Sequence, residues 1–169
     1  MGAIIKNNLL TPQLDKDLIS LIEEKVSTNE ITWFLLGGER FMVKKPVSGF
    51  DFLVASEKGI HKFAIENLAN VMHVPMKDMA SLLNISYKIL VKKKDNYVFN
   101  NLISSLSVEI ANTIAKGLST FEDPEKLNRW LHKENKSLNL QKPFDLLNTP
   151  TGIKLVNQIL GRIEDGVYS

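Results

Sequence analysis

The sequence predicts a mainly α protein: a helix-turn-helix bundle joined to a helical C-terminal domain, with one small β element near the N-terminus. Three observations carry that expectation. Apolar residues recur at helical spacing from Ile60 to Ile163. Proline, asparagine and glycine fall where such helices start and stop. Only the stretch from Ile31 to Val43 departs from the period.

Taken in order, Thr11-Pro12 has the form of an N-cap followed by proline at the first helical position. Leu14, Leu18, Leu21, Ile22 and Val26 follow at helical spacing, so residues 12–27 read as an amphipathic helix. Ile31 to Leu36 and Phe41 to Val43 are β-branched and aromatic runs separated by Gly37-Gly38-Glu39-Arg40, the pattern of a small hairpin. A lone hairpin is marginal in water, so this one must pack on something, such as its copy in a second subunit. Phe63, Leu68 and Val71 mark the next helix, broken at Pro75; Met76, Met79, Ala80 and Leu83 mark another. Ser86 begins a third that ends near Asp95. Residues 99–118 form one long helix or two short ones. Asp123-Pro124 caps a helix carrying Leu127, Trp130 and Leu131, Pro143 opens a short turn, and Thr149-Pro150 caps the terminal helix.

The composition bounds the function. A chain of 169 residues with 44% hydrophobic and 24% charged content suits one soluble domain or two small ones. The net charge of +2 announces neither nucleic acid nor membrane. Its distribution is uneven: −1 over residues 1–58, +3 over 59–97 and zero over 98–169. These three segments are the expected organisation: an N-terminal arm that is a candidate dimerisation element, a helix-turn-helix domain, and a C-terminal domain. There is no cysteine, which excludes disulfides and thiol catalysis and suits a reducing cytoplasm. No apolar run approaches the roughly 20 residues of a membrane span, and no secretory leader opens the chain. A cytoplasmic protein with no membrane partner is the expectation.

Catalytic constellations are missing from the pattern. His61, His73 and His132 lack metal-ligand spacing. Gly37-Gly38 lacks the lysine and spacing of a phosphate loop. Glu122-Asp123-Pro124-Glu125 reads as a helix start with acids set favourably against the dipole. Trp130 with Leu131 reads as core. No enzyme, metal or cofactor is expected.

Two segments carry binding chemistry. A helix-turn-helix needs a small residue where its helices cross, apolar residues around a tight turn and an apolar anchor on the second helix. Ala80, Leu83 with Ile85, and Leu90 supply these, and Asn84 tolerates the positive φ of the turn. The groove-facing positions are then Ser86, Tyr87 and Lys88, followed by Val91 and Lys92, while Lys93 and Lys94 reach phosphate. A helical hairpin with a solvated lysine face fits the same residues. The second segment is the C-terminus. A helix carrying Ile153, Val156, Ile159, Leu160 and Ile163 stops at Gly166 and leaves Val167-Tyr168-Ser169. Either this tail docks elsewhere, or the helix closes its own core with Val167 and Tyr168 tucked back.

Several stretches together resemble a known family. They are Gly59-Ile60-His61-Lys62, the run from Met79 to Ser86, the run from Phe121 to Lys126 with the Trp130-Leu131 pair, the run from Pro143 to Thr149 with Gly152, and the closing run from Leu160 to Ser169. Over roughly residues 50–169 the chain resembles the antitoxins of RES–Xre toxin–antitoxin systems, which end in an Xre/MbcA/ParS-type toxin-binding domain. Where the family commonly has Gly and His, this chain has Glu122 and Asp165. On the second helix of the motif, Ile89 replaces a threonine and Tyr87 and Val91 take polar places.

The resemblance implies an antitoxin that neutralises an NAD-consuming RES-domain toxin by laying its C-terminus into the toxin's active site. It implies a homodimer that binds its own operator DNA. Carried onto this chain, Arg162, Glu164, Val167, Tyr168 and Ser169 become the toxin-binding residues. The alternative is a stand-alone helix-turn-helix regulator with no toxin partner, using Ser86 to Lys94.

Overall fold

Side-chain caps set where most of the helices begin. The computed structural model describes residues 4–167, with side chains from Pro12 onward. The described helices are α1 (Ile4–Glu23), α2 (Thr28–Leu35), α3 (Gly49–Lys58), α4 (Lys62–Val71), α5 (Met76–Leu82), α6 (Tyr87–Lys92), α7 (Asn101–Phe121), α8 (Pro124–Leu131) and α9 (Pro150–Glu164). Asn100 Oδ1 accepts from the Ile103 N–H at 3.0 Å and opens α7. Asp123 Oδ1 accepts from the N–H groups of Glu125 and Lys126 at 2.8 and 3.2 Å and opens α8. Thr149 Oγ1 accepts from the Gly152 N–H at 3.1 Å and opens α9. Each cap contributes about 1 kcal/mol. At α8 and α9 the proline that follows costs nothing, because its missing N–H falls among the unpaired donors of the first turn.

The helix α7 is the spine, with α2, α3, α8 and α9 packed around it. Val108, Ala111, Ile114, Ala115 and Leu118 give it a buried apolar stripe at three- and four-residue spacing. Burying each large aliphatic side chain contributes about 1.5–3 kcal/mol. Its first turn is tied down by Ser104, which is buried: the hydroxyl accepts from the Ile60 N–H at 2.9 Å and donates to Phe99 O at 3.2 Å. Backbone bonds from Lys62 N to Tyr97 O and from Phe99 N to Ile60 O, both 2.9 Å, complete a short antiparallel contact. Residues 95–99 are thereby fastened beneath α4.

Two expectations are corrected. The β element does not form. Ile31 to Leu36 lies in α2 and its C-cap, and the Gly37 to Arg40 stretch holds a single 3₁₀ turn, Gly38–Arg40. Ser27 Oγ accepts from the Glu30 N–H at 3.2 Å, a helix-starting signal the β-branched run obscured. Ile31 and Leu35, one turn apart, are both buried, and α2 packs on α7. Burial along that face outweighs the modest β preference of Ile, Thr, Trp and Phe. The helix predicted from Pro12 begins earlier, at Ile4, and Pro12 lies inside it. Pro12 lacks the N–H that would complete the bond four residues back, a loss the flanking turns of α1 absorb. Residues 99–118 resolve as one helix rather than two.

Glu122 ends α7 in the left-handed region, φ 51° and ψ 18°. Glycine adopts this conformation without steric cost, and a glutamate does not. Its contact with Lys25, 3.6 Å between exposed side chains, offsets little of that strain. Glu122→Gly is expected to stabilise the protein by about 0.5–1 kcal/mol. Denaturant unfolding checks this, with a higher midpoint at unchanged slope as the expected result.

Candidate functional site

The last helix is built to present its end. Leu147, Ile153, Val156 and Leu160 are buried and anchor α9 against α7 and against the 3₁₀ turn at Pro143–Leu146. Beyond Leu160 burial fades: Arg162, Glu164 and Asp165 are exposed, and Val167 is 58% exposed. Gly166 takes φ 74°. Its N–H donates to Ile163 O at 3.0 Å and that of Val167 to Arg162 O at 2.8 Å, the paired bonds of a Schellman cap. The helix therefore ends at the predicted glycine, and its cap fixes the direction in which the chain leaves. Val167 is not tucked back. Tyr168 and Ser169 lie outside the described residues.

Among the described residues, Arg162 and Glu164 form no ion pair or side-chain hydrogen bond. Two residues apart on a helix, they do not face each other. Arg162 lines an open groove of about 730 Å³ between α7 and α9, with Asn112, Lys116, Lys154, Asn157 and Asp165. Lys116 Nζ donates to Asn157 O at 3.2 Å, and Asn157 Nδ2 donates to Thr113 Oγ1 at 3.0 Å. Thr32 Oγ1 lies 2.9 Å from Asn112 Oδ1, so α2 also braces this wall. Sequence reasoning missed the groove. Its signal was present in two polar series at helical spacing, Glu109/Asn112/Lys116 and Lys154/Gln158/Arg162, but only the packing of α9 on α7 places them face to face.

The second candidate surface is centred on α6. Asn84, with φ 55°, makes the turn between α5 and α6, and its Nδ2 donates to Asn148 O at 2.8 Å. Ala80 and Leu90 are buried, as the crossing and the anchor require. Ser86, Tyr87, Lys88, Val91, Lys92 and Lys94 are exposed. Ser86 stands at the N-cap of α6, but its hydroxyl makes no cap bond. Lys93 is half-buried, with Nζ 4.1 Å from the centroid of the Tyr97 ring, a cation–π contact that holds it back from solvent. Ile89 is also exposed, so this short helix carries apolar residues among its lysines.

The histidines do not converge. His73 Nε2 pairs with Asp15 Oδ1 at 2.9 Å, while His61 stacks on Phe63 and His132 on Phe144. Among the described residues no group of three or more His, Asp or Glu could hold a metal ion. No described helix is long and apolar enough to cross a membrane.

Residues 116–166 match the family model described as the antitoxin Xre/MbcA/ParS C-terminal toxin-binding domain. The match spans the last turns of α7, all of α8 and α9, and the glycine of the Schellman cap. A comparison with curated proteins gives no significant match.

Proposed function

From a chain whose C-terminal part is an Xre/MbcA/ParS-type antitoxin toxin-binding domain, we infer that the protein neutralises a RES-domain toxin by occluding its NAD-consuming active site with the segment from Arg162 to Ser169. The observation that carries this reading is the end of α9. Arg162 and Glu164 are exposed and unpaired, and the Schellman cap at Gly166 directs Val167 away from the protein's own core. A cleft made for an anionic dinucleotide presents cationic groups that suit the Glu164 carboxylate, while the Arg162 guanidinium can meet a toxin carboxylate bidentately. An aromatic such as Tyr168 at the tip is the residue type that most often anchors an interface. The role is one of binding, not catalysis. The test pairs the purified chain with the product of the neighbouring reading frame and follows NAD consumption. Stoichiometric inhibition is expected; a toxin equally active with and without the chain overturns the reading.

Operator binding is the second activity, and exposed Ser86, Tyr87, Lys88, Lys92 and Lys94 around the buried Leu90 favour it. Each phosphate contact contributes about one unit to the slope of log affinity against log salt. Lys92→Ala and Lys94→Ala are each expected to flatten that slope by about one unit. Lys93→Ala changes it less, because Tyr97 holds Lys93. Fluorescence anisotropy on the upstream sequence across a salt series measures this. Tight operator binding by a chain that inhibits no toxin would make the protein a stand-alone regulator instead.

A homodimer completes the proposal. Val43, Val47, Phe50 and Leu53 are large apolar side chains, all more than half exposed, within eleven consecutive residues. Exposed Lys44, Glu57 and Lys58 lie beside them in sequence, and an apolar patch of this kind suits a second copy of the chain. Phe50→Asp combined with Leu53→Asp is expected to yield a folded monomer in sedimentation equilibrium; an unchanged dimer places the interface elsewhere.

A further inference from the structure

One hollow in the described structure plays no part in the functions above. It is a cavity of about 470 Å³ between α1 and α8, floored by α7 and by the corner that joins α4 to α5. No residue of α9 lines it. Leu18, Val71, Ile114, Leu118, Leu127 and Leu131 make the floor, and all six are buried.

The rim is different in kind. Asp15, Asp123 and Glu125 line it with His73 and His132, and among the described residues no lysine or arginine does. Asp15 Oδ1 pairs with His73. Asp123 spends Oδ1 on its two cap bonds, which leaves Oδ2 without a partner. The Glu125 carboxylate is exposed and makes no bond or ion pair with its neighbours. Carboxylate oxygens with spare acceptor capacity therefore stand over an apolar floor.

We propose that this cavity is a binding site for a small organic cation, an ammonium group carried on an apolar body. The volume lies within the roughly 300–1,000 Å³ usual for small-molecule sites, which combine an apolar lining with a few placed polar groups. The body packs against the apolar floor, and the ammonium meets carboxylates that no lysine or arginine among the described residues offsets. Nucleotides and other anions are repelled by the same three carboxylates. The site also joins two parts of the molecule. Asp15, Leu18 and Ile19 belong to the N-terminal arm, while α8 lies within the matched toxin-binding domain. A ligand seated there bridges the two and stabilises the folded chain by linkage.

The probes are 4-phenylbutylamine, 4-phenylbutanol and 4-phenylbutyrate, which share one apolar body and differ in head-group charge. Titration of the full-length protein, followed by amide chemical shifts and by melting temperature, should show saturable binding of the amine about tenfold tighter than the other two. Glu125→Gln, at an exposed position outside the core, should weaken the amine several-fold and leave the alcohol unchanged. Ile19→Trp places a ring in the cavity from the exposed side of α1 and should abolish binding of all three. Equal affinity for the three probes, no saturation of the amine at millimolar concentration, or indifference to Glu125→Gln overturns the proposal. So does a self-association that Ile19→Trp removes, which would give the cavity to a second copy of the chain.

Discussion

A chain ending at Asp165 should no longer neutralise its toxin, yet should melt within a few degrees of the full-length protein. The buried residues of α9, namely Ile153, Val156, Ile159 and Leu160, all precede the cut, and Val167 contributes an exposed side chain. Among the described residues folding loses the Schellman cap, and helix caps contribute about 0.3–1.5 kcal/mol. For a domain of this size each kcal/mol shifts the melting temperature by about 2–4 °C. Under the proposed function, the toxin interface loses Tyr168 as its aromatic anchor. Removing such anchors costs at least about 2 kcal/mol, and up to 4–8 in the largest cases. Calorimetry and the NAD-consumption assay on the same preparations separate the two effects. Undiminished inhibition by the truncated chain would move the toxin-binding surface to the α7–α9 groove around Lys116 and Arg162. Loss of both folding and inhibition would show that the tail belongs to the core.

Replacing Gly152 by alanine should have the opposite profile, with stability and neutralisation falling together. An added Cβ would lie 1.9 Å from Leu146 O and 2.8 Å from Leu146 C, both backbone atoms that cannot swing aside. The first turn of α9 would have to lift from the 3₁₀ turn at Pro143–Leu146, carrying Ile153 and Val156 out of register with α7 and loosening Leu147. Overpacking of this kind costs about 1–3 kcal/mol where side chains can relax, and more against fixed backbone. A fall in melting temperature of about 6–12 °C is expected, with calorimetry as the measurement and an unchanged transition as the result that refutes it. Gly166→Ala is the control. Nothing lies within 4 Å of the Cβ it would gain, so its cost is confined to the positive φ, about 1–2 kcal/mol.

The two glycines show how unevenly the site was legible. Gly166 follows an apolar helical series at the place where a stop is required, so its role is local and readable. Gly152 follows a capping threonine and a proline, and nothing local marks it as a contact point. Its constraint comes from Leu146, brought onto it by the reversal of the chain between α8 and α9. The same division runs through α6. The turn at Asn84 and the anchor Leu90 are local features, whereas the restraint of Lys93 by Tyr97 depends on the fold of residues 95–99 under α4.

The sequence by itself determined the helical C-terminal architecture, with its starts at Asp123-Pro124 and Thr149-Pro150 and its stop at Gly166. Caps and stops act over three or four residues, and their partners are backbone groups of the same helix. Only the tertiary structure decided that Ile31 to Leu36 is helical. A short apolar run satisfies helix and strand equally, and the choice falls to the surface that buries it, here the face of α7. The tertiary structure also made the α7–α9 groove and the acid-rimmed cavity beside α1. Both are assembled from side chains tens of residues apart, whose proximity is a property of packing rather than of any segment.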